Sequence, residues 1–169
     1  MVDTEYQIFQ LDGQQDINTA LALAFQERLD ADATERTHLF NGRYENIYIK
    51  RAQIPAIEPV LHAARGFAAV ILNEHRGLSV GFWFNLMGPG DTTTRHRHDD
   101  DDELLSAVYY VSVPENSGDL VIFDNGKSSV VTPKEGRFVF FRPDVEHEVG
   151  MNNSQYKRLS IGMNFGVKV

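Results

Sequence analysis

The chain contains no cysteine among its 169 residues. Disulfide bonds, thiolate metal sites and cysteine nucleophiles are therefore excluded. A chain of this length buries enough surface to fold without such cross-links. The absence of cysteine is also consistent with a reducing cytoplasm.

Positive charge is scarce as well, because 16 Lys and Arg face 24 Asp and Glu, which gives a formal net charge of −8. Without a basic face, a nucleic-acid partner bound through its phosphates is disfavoured. The first residues lack the basic and apolar regions of a signal peptide. No apolar run approaches the roughly 18 residues that a membrane span needs. We expect a cytoplasmic protein without a nucleic-acid or membrane partner; its oligomeric state is not predicted.

The composition, with 42% hydrophobic and 11% aromatic residues, is that of a globular protein. We expect one domain over residues 1–169, in which residues 1–77 form a mixed, partly helical support. Helical spacing of apolar residues predicts a first helix over residues 16–30, with Asp16 as N-cap. A second helix is expected between Pro55 and Gly77, with an apolar stripe that packs on a sheet.

Residues 78–169 have a β-rich pattern, because short apolar runs alternate there with turn signals. Eight strands without intervening helices favour a sandwich or jelly roll, mainly β, with the two helices packed on one sheet. The expected strands are Val80–Met87, Thr92–His98, Leu105–Val113, Gly118–Asp124, Ser128–Thr132, Arg137–Phe141, Val145–Met151 and Arg158–Phe165.

A cluster of metal-competent side chains begins at His96. On a strand, His96, His98 and Asp100 share one face, so their side chains can reach one ion. His147 lies in a second strand pattern and can add an imidazole. Two triads fit: His98, Asp100 and His147, or His96, His98 and His147. We favour the first, because two His and one carboxylate are the facial site of Fe(II) oxygenases.

An anion-binding group follows the second His motif. Arg158 begins the last expected strand, in which small and polar residues alternate with large apolar ones. Arginine makes bidentate contacts with carboxylates, which a dicarboxylate chelator of the metal would need at its far end. Ser160 shares the Arg158 face and could add a hydroxyl group to the same carboxylate.

These motifs resemble the 2-oxoglutarate- and Fe(II)-dependent oxygenases, closest to the prolyl-4-hydroxylase-like branch. The resemblance covers roughly residues 80–166. Its order of motifs is His98-Asp99-Asp100, His147 and Arg158-Leu159-Ser160, with further likeness in residues 105–111, 117–120, 133–141 and 159–165.

The resemblance implies a double-stranded β-helix that binds Fe(II), with 2-oxoglutarate and O₂ as co-substrates. Arg158 would bind the distal carboxylate, and Tyr110 and Asn85 would belong to the same pocket. The implied reaction is a dioxygenase reaction, usually a hydroxylation of an unactivated C–H, in which the protein supplies orientation and electrostatics. The substrate, a small molecule or a peptide, is not identified.

The spacing departs from the family pattern at one place. Counting forward from Gly90 puts the first ligand at His96, whereas counting back from Leu105 puts it at His98, so the choice of triad stays open. Two other interpretations are a cupin-like metalloenzyme with a three-His site and no 2-oxoglutarate, and a non-catalytic jelly-roll binding module. The second of these would leave the His cluster unexplained.

Overall fold

A computed structural model describes residues 6–31, 35–98 and 102–168. Two short 3-10 turns, Arg51–Gln53 and Pro55–Ile57, precede the second helix. In chain order the elements are β1 (Tyr6–Gln10), α1 (Gln14–Leu29), β2 (Glu35–Phe40), β3 (Arg43–Tyr48), α2 (Glu58–Leu72), β4 (Leu78–Met87), β5 (Thr93–His96), β6 (Leu105–Ser112), β7 (Leu120–Asp124), β8 (Lys127–Val131), β9 (Arg137–Phe141), β10 (Glu146–Val149) and β11 (Arg158–Val167).

Both helices differ from the sequence prediction at their ends. Helix α1 begins two residues before Asp16, which therefore lies in the first turn, and left-handed Gly13 precedes the helix. Helix α2 ends at Asn73, whose φ of 49° is left-handed, rather than just before Gly77. Asparagine tolerates this conformation, so it can end a helix in place of glycine.

The strands form two antiparallel sheets. The major sheet has the order β1-β9-β6-β11-β4-β3-β2, and the minor sheet has the order β5-β10-β7-β8. All eight strands expected after residue 78 are present as β4 to β11. The predicted jelly roll, mainly β with two flanking helices, is confirmed.

The outward face of the major sheet carries the larger core. Helix α2 packs on this face through four fully buried residues, Val60, Leu61, Ala64 and Ala68. The segment Pro55–Leu72 is also long and apolar enough to cross a membrane, with a mean hydropathy of 1.2, which the sequence analysis overlooked. Within the protein, 28% of this segment is buried.

The last strand separates the core from the site. Leu159, Ile161, Met163 and Phe165 point outward into the larger core, as expected. Ser160 and Gly162 point between the two sheets and line an internal cavity. The antiparallel register places Asn85 opposite Ser160, and Trp83 opposite Gly162. Directly opposite residues share a face, so the inward face of the major sheet forms one wall of the candidate site.

Candidate metal centre

Three imidazoles converge where the minor sheet faces the major sheet. His96 on β5 lies directly opposite His147 on β10, and their ring centroids are 4.3 Å apart. His98 follows the end of β5, where its backbone N–H donates to the Pro143 carbonyl over 2.8 Å. Its ring centroid lies 5.0 Å from that of His96 and 5.2 Å from that of His147. The candidate ligand atoms all lie within 4.8 Å of one another, so a single ion can bind all three rings.

Backbone carbonyls fix the tautomers of two of these rings. Nδ1 of His96 lies 2.6 Å from the Thr94 carbonyl, and Nδ1 of His147 lies 3.2 Å from the Val145 carbonyl. A carbonyl oxygen only accepts hydrogen bonds, so each Nδ1 carries the proton. The Nε2 lone pairs are thereby available to a metal ion, and the rings are held in orientation.

His147 is neutral at physiological pH. Burial lowers its pKa from 6.5 to about 3, and the charges of His96 and then His98 act in the same direction. A metal ion needs a deprotonated imidazole. Binding to His147 therefore does not have to displace a proton near neutral pH.

One of the two predicted triads is assembled by the described residues. It is the set of His96, His98 and His147. Asp100, which belongs to the triad favoured from sequence, lies outside the described residues. The three-His set, which is the second of the two predicted triads, therefore has direct geometric support.

A buried carboxylate that the sequence analysis missed braces the strand that carries His96. Glu45 on β3 is 4% exposed and accepts hydrogen bonds from both the backbone N–H and the hydroxyl group of Thr94, each 2.8 Å long. The Thr94 carbonyl in turn holds Nδ1 of His96. The burial of every second residue at Glu45, Ile47 and Ile49 was a signal in the sequence that Glu45 is buried. The two isoleucines belong to the larger core, whereas Glu45 reaches the minor sheet.

A tryptophan next to the imidazoles was also missed. The ring centroid of Trp83 lies 5.1 Å from that of His98. The indole occupies space that a side chain at Gly162 would fill, because a Cβ built there would lie 2.3 Å from Trp83 Cε2. Because glycine has no side chain, Gly162 leaves room for the Trp83 ring in the wall of the site. Only the strand register shows that these two residues lie opposite each other.

Arg158 forms the far end of the inward face. The side chain is 1% exposed, and Nη1 donates to the carbonyls of Ser117, at 3.1 Å, and Gly118. Within the described ranges no carboxylate lies at ion-pair distance from this guanidinium, and its Nε has no hydrogen-bond partner. Burial lowers the pKa of Arg158, which Tyr110 and Asp119 partly offset. A buried cation in this state is stabilised by an anionic ligand.

Tyr110 lies beside Arg158. The guanidinium carbon is 5.2 Å from the centroid of the Tyr110 ring, and the buried hydroxyl makes no hydrogen bond of acceptable geometry with the described residues. Burial raises the pKa of Tyr110 to about 12, against the opposing effect of Arg158. The hydroxyl is therefore protonated and able to donate. Tyr109 points the other way and donates to Asn18 over 2.6 Å.

Ser160 and Asn85 line a cavity beside the imidazoles. This cavity has a volume of about 40 Å³ and is also lined by the three His rings. Asn85 is engaged within the protein, since it donates to the Thr93 hydroxyl over 2.9 Å and accepts from Arg43 over 3.0 Å. Arg158 lies two residues before Ser160, about 6.6 Å along the strand on the same face.

A jelly roll that holds an imidazole cluster between its sheets, with a buried cation farther along the same wall, defines a class of protein. It is a metal-binding jelly roll whose site can hold an ion beside an anionic co-ligand. Three imidazoles could bind one ion, and the unpaired atoms of Arg158 and Tyr110 suit a carboxylate.

The chain belongs to the 2OG-Fe(II) oxygenase superfamily, whose sequence profile matches residues 82–166, half of its length. It is similar to a Pseudomonas putida prolyl-4-hydroxylase, with 25% identity, 98% coverage of this chain, 94% coverage of that chain and a TM-score of 0.75.

Two further solved structures share the fold at lower identity. The 2-oxoglutarate-dependent carbocyclase SnoK from nogalamycin biosynthesis is 17% identical, with 97% and 80% of the two chains covered and a TM-score of 0.78. A prolyl hydroxylase from Trichoplax adhaerens, in complex with a hypoxia-inducible-factor peptide, is 15% identical, with 98% and 84% covered and a TM-score of 0.74. No curated protein sequence matches significantly.

Proposed function

We propose that His96, His98 and His147 hold the Fe(II) of this oxygenase through their Nε2 atoms, and that Arg158 binds the distal carboxylate of 2-oxoglutarate. The observation that carries this assignment is the convergence of the three imidazoles on one point. Imidazole nitrogen is a ligand that iron accepts. The buried Arg158 cation, which forms no ion pair within the described ranges, suits a dianionic co-substrate.

When bound, iron and 2-oxoglutarate supply the oxidising chemistry, in which O₂ is reduced, 2-oxoglutarate becomes succinate and CO₂, and a substrate C–H becomes C–OH. The chain supplies binding and orientation. Nδ1 contacts hold the rings of His96 and His147, and the protonated Tyr110 hydroxyl can donate a hydrogen bond beside Arg158. The cavity of about 40 Å³ has room for only a few water molecules, so co-substrate binding must displace lining side chains.

The substrate is proposed to be a small molecule or a peptide. The related proteins support both, since one acts in nogalamycin biosynthesis and another is a prolyl hydroxylase in complex with a peptide. Family membership favours this function over a binding module. A cytoplasmic location is also proposed, and the absence of cysteine supports it.

The ligand assignment is tested by anaerobic Fe(II) titration of two variants, His96→Gln and Asp100→Asn. Loss of tight binding in His96→Gln, with retention in Asp100→Asn, is the expected result. The opposite pattern would show that the site uses two His and the Asp100 carboxylate. His62→Gln is the matched control, because His62 is exposed on α2.

The co-substrate assignment has a separate readout. We expect calorimetric binding of 2-oxoglutarate by the Fe(II)-loaded protein and Fe(II)-dependent succinate formation. A cupin-like three-His enzyme would bind the metal without 2-oxoglutarate. Metal binding without any interaction with 2-oxoglutarate would therefore overturn the proposed function and favour that alternative.

A further inference from the structure

The imidazole cluster opens outward onto two connected cavities. The inner one, of about 250 Å³, is lined by His96 and His98. The outer one, of about 770 Å³, runs along β4 and β11. The two cavities adjoin, since four residues line both, and we call them together the mouth groove; the shared residues are Tyr48, Trp83, Glu103 and Asn164.

Two of the four shared residues of the mouth groove are aromatic. The ring centroids of Tyr48 and Trp83 are 6.4 Å apart, and the ring planes are inclined by 45°. Trp83 also contacts His98, at 5.1 Å between centroids. A ligand group held against Trp83 therefore lies beside the candidate metal centre.

Carboxylates supply the charge of the outer cavity. Its lining includes Asp102 and Glu103 and, among the described residues, no lysine or arginine. Glu103 is fixed in place by a hydrogen bond of 2.6 Å from the Asn164 amide. Exposed Arg97 lines only the inner cavity, on the side of the imidazoles.

Aromatic rings and carboxylates on one wall together recognise organic cations. An ammonium or guanidinium group over a Trp or Tyr face is attracted by the ring quadrupole, more strongly when it is desolvated. A charge-assisted hydrogen bond to a carboxylate adds to this attraction. The net charge of −8 favours the approach of such a group.

We propose that the substrate carries an ammonium or guanidinium group, which lies against Tyr48 and Trp83 and pairs with the carboxylates of Asp102 and Glu103. The inference rests on the proposed function, because it places the reacting carbon on the same molecule, beside the imidazole cluster. A free amino compound and a lysine or arginine side chain of a peptide both present this chemistry.

Trp83 is the only tryptophan of the chain, so its fluorescence reports on the mouth groove without metal or co-substrate. The metal-free protein is titrated with N-acetyl-lysine methylamide, N-acetyl-arginine methylamide and the neutral N-acetyl-norleucine methylamide. A peptide with one central lysine between glycines forms a further arm. Calorimetry accompanies each titration, so that binding without a change in fluorescence is also detected.

The cationic probes are expected to bind about tenfold or more tightly than the norleucine probe, as an added cation–aromatic contact and ion pair imply. In the double variant Asp102→Asn/Glu103→Gln this preference disappears. The control Asp12→Asn/Glu27→Gln changes the net charge equally, at exposed positions outside the groove lining, and retains it. Tighter binding of the peptide than of the acetylated lysine identifies a peptide source, and the reverse identifies a free amino compound.

Equal binding of the norleucine probe, no binding of any cationic probe, or a preference that survives in the double variant would overturn the inference. Fe(II) and 2-oxoglutarate titrations of the wild-type protein are run in parallel. If these succeed while the cationic probes fail, the inference alone is lost. If Fe(II) and 2-oxoglutarate fail to bind, the proposed function is lost, whatever the probes show.

Discussion

The two faces of strand β11 perform different tasks with the same backbone. The outward side chains Leu159, Ile161, Met163 and Phe165 are at most 4% exposed and pack beneath the helices. On the inward face, Arg158 and Ser160 are equally buried but polar. The outward face removes apolar surface from water and stabilises the fold. The inward face leaves polar atoms unpaired, so its burial becomes favourable with a ligand.

The largest effect is expected from the outward face. Phe165→Ala removes a fully buried ring, and such substitutions cost about 3–5 kcal/mol of unfolding free energy. Urea unfolding measures this loss. Metal affinity at a temperature where the variant is folded should be unchanged. A variant of wild-type stability with weakened metal binding would contradict the division of the two faces.

The inward face is tested by Arg158→Met, which keeps most of the volume and removes the charge. Removing one member of a buried charge pair costs about 2–5 kcal/mol of binding, so 2-oxoglutarate affinity should fall by about 30-fold or more. The free energy of unfolding should change by less than about 1.5 kcal/mol, since the lost hydrogen bonds to two carbonyls are offset by removal of a buried cation.

Calorimetry with the Fe(II)-loaded variant measures the first quantity and urea unfolding the second. Fe(II) affinity serves as the internal control, because Arg158 is not among the imidazole ligands. Unaltered 2-oxoglutarate affinity would remove Arg158 from the co-substrate site. A large loss of unfolding free energy would instead show that Arg158, like the outward side chains, mainly stabilises the fold.

Sequence periodicity predicted the β11 faces because a strand alternates its side chains with a period of two. The same rule could not choose a triad, since His96, His98 and Asp100 all share one face. Strand β2 was missed because its residues are mostly exposed and lack an alternating apolar pattern. The role of Glu45 depends on a contact with Thr94 across 49 residues, which no local pattern encodes.

Glu45 belongs with the polar residues of the site, because it is a buried carboxylate that reaches the minor sheet through Thr94. Glu45→Gln replaces an acceptor of two hydrogen bonds by an amide that accepts through only one oxygen. Partners that orient metal-binding residues typically change metal affinity by about 10- to 100-fold when they are removed. We expect a loss of this size in a Co(II) titration, with an altered Co(II) absorption spectrum.

Glu58→Gln is the matched control, because this carboxylate is exposed and pairs with Arg51 at the surface. If Glu45 had a purely structural role, Glu45→Gln would lower the free energy of unfolding. The Co(II) affinity and the spectrum of the folded, Co(II)-loaded protein would then be those of the wild type. That result would contradict its action through Thr94 on His96.

The smallest effect is the sensitivity of the inward face to acid. The pKa of His147 is about 3 in the folded protein and 6.5 for an ordinary histidine, so between these values the unfolded state binds more protons. The contribution of His147 to stability is therefore present above pH 6.5 and is lost as the pH falls. At pH 5.5 the metal-free protein should have lost about 1.4 kcal/mol from this residue.

Urea unfolding at pH 7 and 5.5 measures the loss, and His147→Gln should abolish it, whereas His62→Gln should not. An equal pH dependence in all three proteins would mean that burial of the inward imidazole has no energetic consequence, and the contrast between the two faces would then rest on ligand binding alone.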